Sequence, residues 1–367
     1  MTDVKRYAEY YWFNRLTRGR RALQEELLRL FGSVPEFRMA WENGEVDIGA
    51  VTGEKSPEKT DPSVFMEEAV KVMNRASGAG IEVVCRDDPD YPALLSEYRH
   101  SPLLLFYEGD IGRINKCSSR ISVVGSRKCT SYGREMCVKT VSALSGRNIC
   151  VVSGMARGID SFAHKAALDA GIFTAAVLGC GTDVIYPREN AGLYAKIKEN
   201  GVIISEQPPG TQPLRTYFPA RNRIIAGIAE ATFVAEAGLS SGALITADFA
   251  LDAGRDVLTI PHRIDTPEGA GCNDMLKNGA LFVTSPMDVL RALGFDGGTA
   301  GASDVMAEAL DKNQAEILTL IKRNGELFED EIVSETSIPS QEIKRALSAL
   351  EIFGFIKKDF NGGFYAV

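Results

Sequence analysis

The sequence predicts an α/β protein: a parallel, doubly wound sheet, preceded by a small helical region and followed by a winged helix. Three observations predict it. From residue 120 onward, short runs rich in valine and isoleucine alternate with helical stretches, as strands buried on both faces do. The loops after the first three runs are dense in glycine, serine and arginine, and ligands of such sheets sit beyond the carboxyl ends of the strands. A glycine-rich stretch then separates this region from three short amphipathic segments and a hairpin pattern.

A chain of 367 residues suffices for two or three domains with a sizeable core. A formal net charge of −8 argues against a generic polyanion binder, so a nucleic-acid site must be a local basic patch on an acidic molecule. The 7 cysteines contain no CxxC pair and there are only 3 histidines, a composition of reduced thiols without a zinc site. The residues after Met1 lack an apolar signal core, and no apolar run reaches transmembrane length, so the expected location is the cytoplasm.

Residues 1–80 read as helices, a small accessory domain. Leu23, Leu27, Leu28, Leu30 and Phe31 form one apolar stripe closed by Gly32, and Phe65, Met66, Ala69, Val70, Val72 and Met73 form another that Gly78 and Gly80 end. Between the first aromatic segment and the leucine stripe, Thr17-Arg18-Gly19-Arg20-Arg21 reads as a solvated basic turn, or as a hairpin that touches phosphates.

The core spans residues 81–293. After the turn around Asp87–Pro92, Leu103–Tyr107 is a strand. The runs Ile121–Val124, Ile149–Val152, Thr174–Leu178, Val202–Ser205, Ala231–Glu236, Asp256–Ile260 and Leu281–Val283 are the parallel set. Gly125-Ser126-Arg127-Lys128 follows the first run of the set, Ser153-Gly154-Met155-Ala156-Arg157-Gly158 the second, and Gly179-Cys180-Gly181 the third, with Tyr186-Pro187-Arg188 beyond. Glycines admit backbone amides to a phosphate and arginines add charge-assisted bonds, so these loops read as one anion surface. None is a GxGxxG, and no acidic ribose-binding residue is placed, which argues against a dinucleotide site.

Phe218-Pro219-Ala220-Arg221-Asn222-Arg223-Ile224-Ile225-Ala226-Gly227 completes the surface. Pro219 suits the first position of a helix, which would put Arg221 and Arg223 in a first turn where the macrodipole disfavours cations. Such a break marks an anion site, and an aromatic beside arginines suits a single-stranded nucleic acid. The alternative is an arginine-capped helix paired to acidic neighbours. Ser240-Ser241-Gly242 caps an almost wholly apolar helix of the core, and His164 reads as a packed histidine rather than a catalyst. No triad or paired carboxylates are evident, so no catalytic residue, metal or cofactor is assigned.

Residues 294–304 read as a flexible linker. Residues 305–367 carry helical stripes at Ala315–Ile321, Phe328–Val333 and Ile343–Phe353 and a hairpin ending at Val367, the order of a winged helix-turn-helix. From Asp311 to Val367 there are 10 acidic and 7 basic side chains, a balance that suits protein docking at least as well as DNA reading.

With these motifs in order, the sequence resembles the DNA-processing protein A (DprA/Smf) family of bacteria. The resemblance rests on Val124-Gly125-Ser126-Arg127, Ser153-Gly154-Met155-Ala156-Arg157-Gly158-Ile159-Asp160, Leu178-Gly179-Cys180-Gly181, the Phe218–Gly227 stretch and Ser241-Gly242-Ala243-Leu244-Ile245-Thr246. It implies an extended Rossmann-like core and a cytosolic homodimer. Such a protein binds single-stranded DNA and helps load RecA during natural transformation, without turnover. The DNA-binding set that the motifs and the resemblance imply is Gly125, Ser126, Arg127, Ser153, Gly154, Arg157, Gly179, Gly181, Arg188, Phe218, Arg221, Asn222, Arg223, Ser241 and Gly242. Pro261-His262 departs from the Pro-Gly expected of the family. A competing reading, a nucleotide-processing enzyme of the related lysine-decarboxylase-like (LOG) group, needs a PGGxGTxxE loop. The corresponding Glu236-Ala237-Gly238-Leu239-Ser240-Ser241-Gly242 lacks its Gly-Gly and terminal glutamate.

Overall fold

The computed structural model describes residues 2–17, 19–46, 62–295, 310–352, 355–359 and 362–366. The chain divides into two compact units, Met1–Asp296 and Gly297–Val367. The linker expected at 294–304 meets that division, and beyond residue 295 it lies outside the described residues, as does Arg18 of the basic turn.

The first unit is built on a nine-stranded sheet of order β1-β2-β6-β5-β4-β3-β7-β8-β9. Its strands are β1 (Glu82–Cys85), β2 (Leu104–Gly109), β3 (Ser119–Gly125), β4 (Ile149–Ser153), β5 (Phe173–Leu178), β6 (Val202–Ser205), β7 (Ala231–Glu236), β8 (Asp256–Thr259) and β9 (Leu281–Phe282). From β6 across to β9 every pairing is parallel. All seven valine- and isoleucine-rich runs are strands of this set, and β4 to β7 are buried along their whole length. At one edge β2 pairs antiparallel with β6, and β1 pairs antiparallel with β2. The four residues of β1, with exposed Glu82 at one end, make no apolar run that the sequence could announce.

Residue alternation builds the two faces. Val124, Val152, Val177 and Val234 point into one core with Ile224, Ile225 and Ile228. Val123, Val151, Phe233 and Leu258 point into the other with Cys137, Ile159 and Ala163. The chain steps outward from β3 through β4 and β5 to β6, then returns to the other side of β3 with β7. Loops after β3 and β7 therefore diverge at a topological switch point, where open α/β sheets bind ligands.

Helices Thr2–Leu16, Arg21–Phe31, Val34–Glu42 and Pro62–Gly78 cover the β1–β2 edge. Trp12, Phe13 and Phe37 share a core there with Leu103, Leu104 and Phe106. Gly32, at φ 83, ends the leucine helix as a left-handed cap that a side chain would strain. Arg21 is not solvated: it donates to the carbonyls of Tyr98 and Ser96 and to Ser101 Oγ, and pairs with Glu25.

In the second unit, helices Lys312–Asn324, Glu329–Glu335 and Ser340–Ile352 pack against β10 (Glu326–Leu327), β11 (Ile356–Lys358) and β12 (Phe364–Ala366), paired in the order β10-β12-β11. Ile317, Ile321, Ile343, Leu347 and Ile356 are its buried centre. This is a winged helix, and its first helix starts with an Asp311–Gln314 capping box. Among the described residues no helix is long and apolar enough to cross a membrane.

Candidate nucleic-acid interface

A cleft of about 880 Å³ opens at the switch point. Gly125, Ser126, Arg127 and Lys128 from the loop after β3 line one side, and Gly238, Ser240 and Ser241 from the loop after β7 line another. The start of helix Tyr217–Ile228 supplies Phe218, Arg221 and Asn222, with Arg215 just before it and Tyr186 opposite.

That helix begins two residues earlier than Pro219 suggests. Thr216 is the N-cap, and Pro219 is the third helical residue. Proline is tolerated throughout the first turn, because those N–H groups have no intrahelical partner. The shift moves Arg221 and Arg223 into the second turn, where the macrodipole has largely decayed. Their side chains are fixed by the fold instead. Arg221 is buried, and its Nη1 donates to the carbonyls of Gly154, at 2.7 Å, and of Val177 near the carboxyl end of β5. Burial pushes its guanidinium down to about 10, against the pull of Asp160. Asp160, also buried, has its carboxyl pushed up by burial and drawn back by Arg221. Gly154 sits between the two, and a Cβ there would strike the Arg221 guanidinium and the Asp160 carboxylate. Arg223 turns to Glu206, donating from Nη2 to both carboxylate oxygens at 2.7 Å.

The other glycines and serines of the loops divide in the same way. A Cβ on Gly125 would meet Ile159 and the Glu236 carbonyl, one on Gly181 the Asp183 carboxylate and Pro208 carbonyl, and one on Gly179 the Phe218 ring. Gly179 thus makes room for the aromatic. Ser153 is buried and donates to the Val123 carbonyl. Ser241 caps its helix by accepting from the Ala243 N–H, and Asn222 ties the two helix starts together by donating to the Gly242 carbonyl.

What remains open in the cleft is an aromatic and cationic constellation. The Phe218 ring lies 5.4 Å from that of Tyr186, with the rings tilted by 47°. The Arg127 guanidinium sits 5.6 Å from the Phe218 centroid on one side, and Arg221 at 6.0 Å contributes from the interior. Among the described residues Arg127, Lys128, Arg188 and Arg215 have no carboxylate partner, whereas exposed Arg157 is paired with Glu189. Arg157 and Arg188 stand on neighbouring loops but do not line the cleft; Gly154, Gly179, Gly181, Ser153 and Arg223 do not line it either.

Three aromatic or cationic residues of the cleft lie outside the DNA-binding set expected from sequence. Tyr186 was visible as a motif, but only the fold sets it against Phe218. Lys128 follows Arg127 directly, and Arg215 lies in a polar loop without periodicity. Glu236, the one acid in the stretch compared with the LOG loop, is fully buried. Its carboxylate accepts from the Thr130 N–H at 3.0 Å and from the Thr130 hydroxyl, at the start of helix Ser131–Ser142. Gly133 leaves the space it occupies. A carboxylate held at a positive helix start, and outside the lining of the cleft, is a structural cap. His164 is buried with Nδ1 at 2.7 Å from Thr174 Oγ1, and burial pushes it down to about 3. His262 packs edge-on against Tyr132 and lies 3.1 Å from the Ala235 carbonyl through Nε2.

A family model described as DNA recombination-mediator protein A matches residues 82–294. The chain belongs to this family. Among its relatives, the DNA processing protein DprA of Streptococcus pneumoniae is 44% identical over 208 residues, 57% of this chain and 73% of that one. Protein Smf of Synechocystis is 38% identical over 269 residues, covering 70% of this chain and 65% of that one. The X-ray structure of the S. pneumoniae protein matches with a TM-score of 0.64 at 36% identity, over 77% of this chain and 97% of that one. The structure of DNA processing protein A from Helicobacter pylori, described for its single-stranded DNA binding mode, matches with a TM-score of 0.53 at 25% identity, over 59% and 96%. The family match covers the sheet and the whole switch-point cleft, and the N-terminal helices and the winged helix lie outside it.

Proposed function

We propose that the switch-point cleft binds single-stranded DNA without chemical turnover. The observation that carries this reading is the Tyr186–Phe218–Arg127 constellation, beside cations that form no ion pair among the described residues. Stacking on Phe218 and Tyr186 accepts any base, and Arg127, Lys128 and Arg215 would meet successive phosphates. Duplex DNA has no unstacked base to offer such a platform. The single-stranded DNA binding named for the H. pylori relative supports the same reading. By the family resemblance we extend it: a cytosolic homodimer protects incoming strands in natural transformation and helps load RecA on them.

Titration of labelled single- and double-stranded oligonucleotides over a range of salt tests the binding. The expected result is preference for single strands, with an affinity that falls log-linearly with salt. Equal or tighter binding of duplex would overturn it. Faster RecA assembly on strands coated by a single-strand-binding protein tests the loading step. Incubation with nucleoside monophosphates tests turnover, and release of free base would contradict the non-catalytic reading.

A further inference from the structure

Behind the start of helix Tyr217–Ile228 lies a second cavity, of about 680 Å³. One wall is the first N-terminal helix, with Tyr11, Asn14 and Arg15. The other is the segment after β6, with Gln207, Thr211 and Glu206, whose carboxylate is taken up by Arg223, together with Tyr217. Nothing in the proposed role of the switch-point cleft uses it.

Its chemistry is that of a nucleotide site. Half-buried Tyr217 offers an aromatic ring, and Tyr11, buried in the N-terminal core, forms part of the wall across from it. The Gln207 side chain has no hydrogen-bond partner among the described residues, and the Asn14 carbonyl oxygen is held by Gln24 Nε2 at 3.1 Å, which leaves the Asn14 amide group to donate. Asparagine and glutamine amides match the donor and acceptor pattern of a base edge. Arg15 pairs loosely with Glu68, at 3.8 Å with both side chains half exposed, and also lies against the Tyr11 hydroxyl. It can therefore turn to a phosphate at little cost.

The position ties this cavity to the first. Arg215, Phe218 and Pro219 line the switch-point cleft, while Tyr217 and Ala220 line the second cavity. One short ridge is thus the common wall, and neighbouring residues 217 and 218 present aromatic rings to opposite sides of it. We propose that a DNA strand leaving the Phe218 platform crosses this ridge and places a further nucleotide in the second cavity. Its base stacks on Tyr217, its edge is bonded by Asn14 and Gln207, and its phosphate meets Arg15. This rests on the single-strand reading of the cleft and adds the N-terminal helices to the binding surface.

The test compares oligothymidylates of about 4 and about 12 nucleotides, the span over which single-strand sites fall. Binding to the full-length protein is measured for the parent, Tyr217→Ala, Tyr217→Phe and Phe218→Ala, with melting temperatures recorded in parallel. Tyr217→Ala should weaken the long strand roughly tenfold and leave the short one unchanged, with Tyr217→Phe restoring the loss. Gln207→Ala should act in the same direction, more weakly. Loss on Phe218→Ala with no length-selective loss on Tyr217→Ala would overturn the extension and leave the cleft reading standing. No loss on either variant would overturn both. Thymidine monophosphate is the control ligand: binding that is Tyr217-dependent and no weaker than that of the long strand would make the cavity a separate mononucleotide site and overturn the extension.

Discussion

Two sets of basic residues meet at the switch point and behave in opposite ways. Arg221 and Arg223, from the sequence stretch that most suggests an anion site, are held by the protein itself, through the Gly154 and Val177 carbonyls and the Glu206 carboxylate. Arg127, Lys128 and Arg215, from less distinctive sequence, have no acid partner among the described residues and line the cleft. The lesson is that arginine in a motif does not say whether it serves ligand or fold. What decides is whether a carbonyl or carboxylate already satisfies it. The first set positions the cleft, since Arg221 lies under Phe218, and the second set supplies its field.

The largest expected effect falls on the interior set. Arg221→Ala leaves buried Asp160 without its opposing charge and two buried carbonyls without a donor, and should cost about 3–5 kcal/mol of stability. Denaturant unfolding measures it, and a loss below about 1 kcal/mol would show that the site relaxes around the gap. Arg223→Ala should cost about 2 kcal/mol by stranding the largely buried Glu206 carboxylate, and Arg223→Ala with Glu206→Gln should recover part of it.

Much of the sheet was legible in the sequence, because strands buried on both faces are nearly continuously apolar; Phe173–Leu178 and Ala231–Glu236 have no exposed position. The short antiparallel β1 was not, since an edge strand needs no such run. The site was legible as loops but not as contacts. Gly154 and Gly181 read as phosphate cradles, yet the structure gives each a steric task against Arg221 and Asp160 or Asp183 and Pro208. Glycine signals close approach without naming what approaches. The two-residue offset in the helix start has a similar cause, as proline marks a first turn but not a position within it. Tyr186 and Phe218 lie 32 residues apart, and only the crossover from β5 through β6 brings their rings together.

On the exposed set the effects are smaller and of another kind. Phe218→Ala should cost about 1–3 kcal/mol of single-strand affinity while leaving the salt dependence nearly unchanged, because stacking releases no counterions. A flattened slope in this variant would mean that the ring acts by holding Arg127 in place. Removing residues 304–367 should change affinity by less than about tenfold, because the winged helix has 10 acidic and 7 basic side chains from Asp311 to Val367. A hundredfold loss would shift much of the binding to that unit.

The contrast between the two sets is tested most directly by measuring salt dependence and thermal stability together on Arg127→Ala and Arg223→Ala. Arg127→Ala should weaken single-strand binding across sequences and flatten the slope of log affinity against log salt by about 0.7, the share of one phosphate, with an unchanged melting temperature. Arg223→Ala should lower the melting temperature and leave the slope alone. The reverse pattern, a flattened slope for Arg223→Ala in a protein of undiminished stability and unchanged binding for Arg127→Ala, would contradict the division between arginines that build the cleft and cations that bind in it.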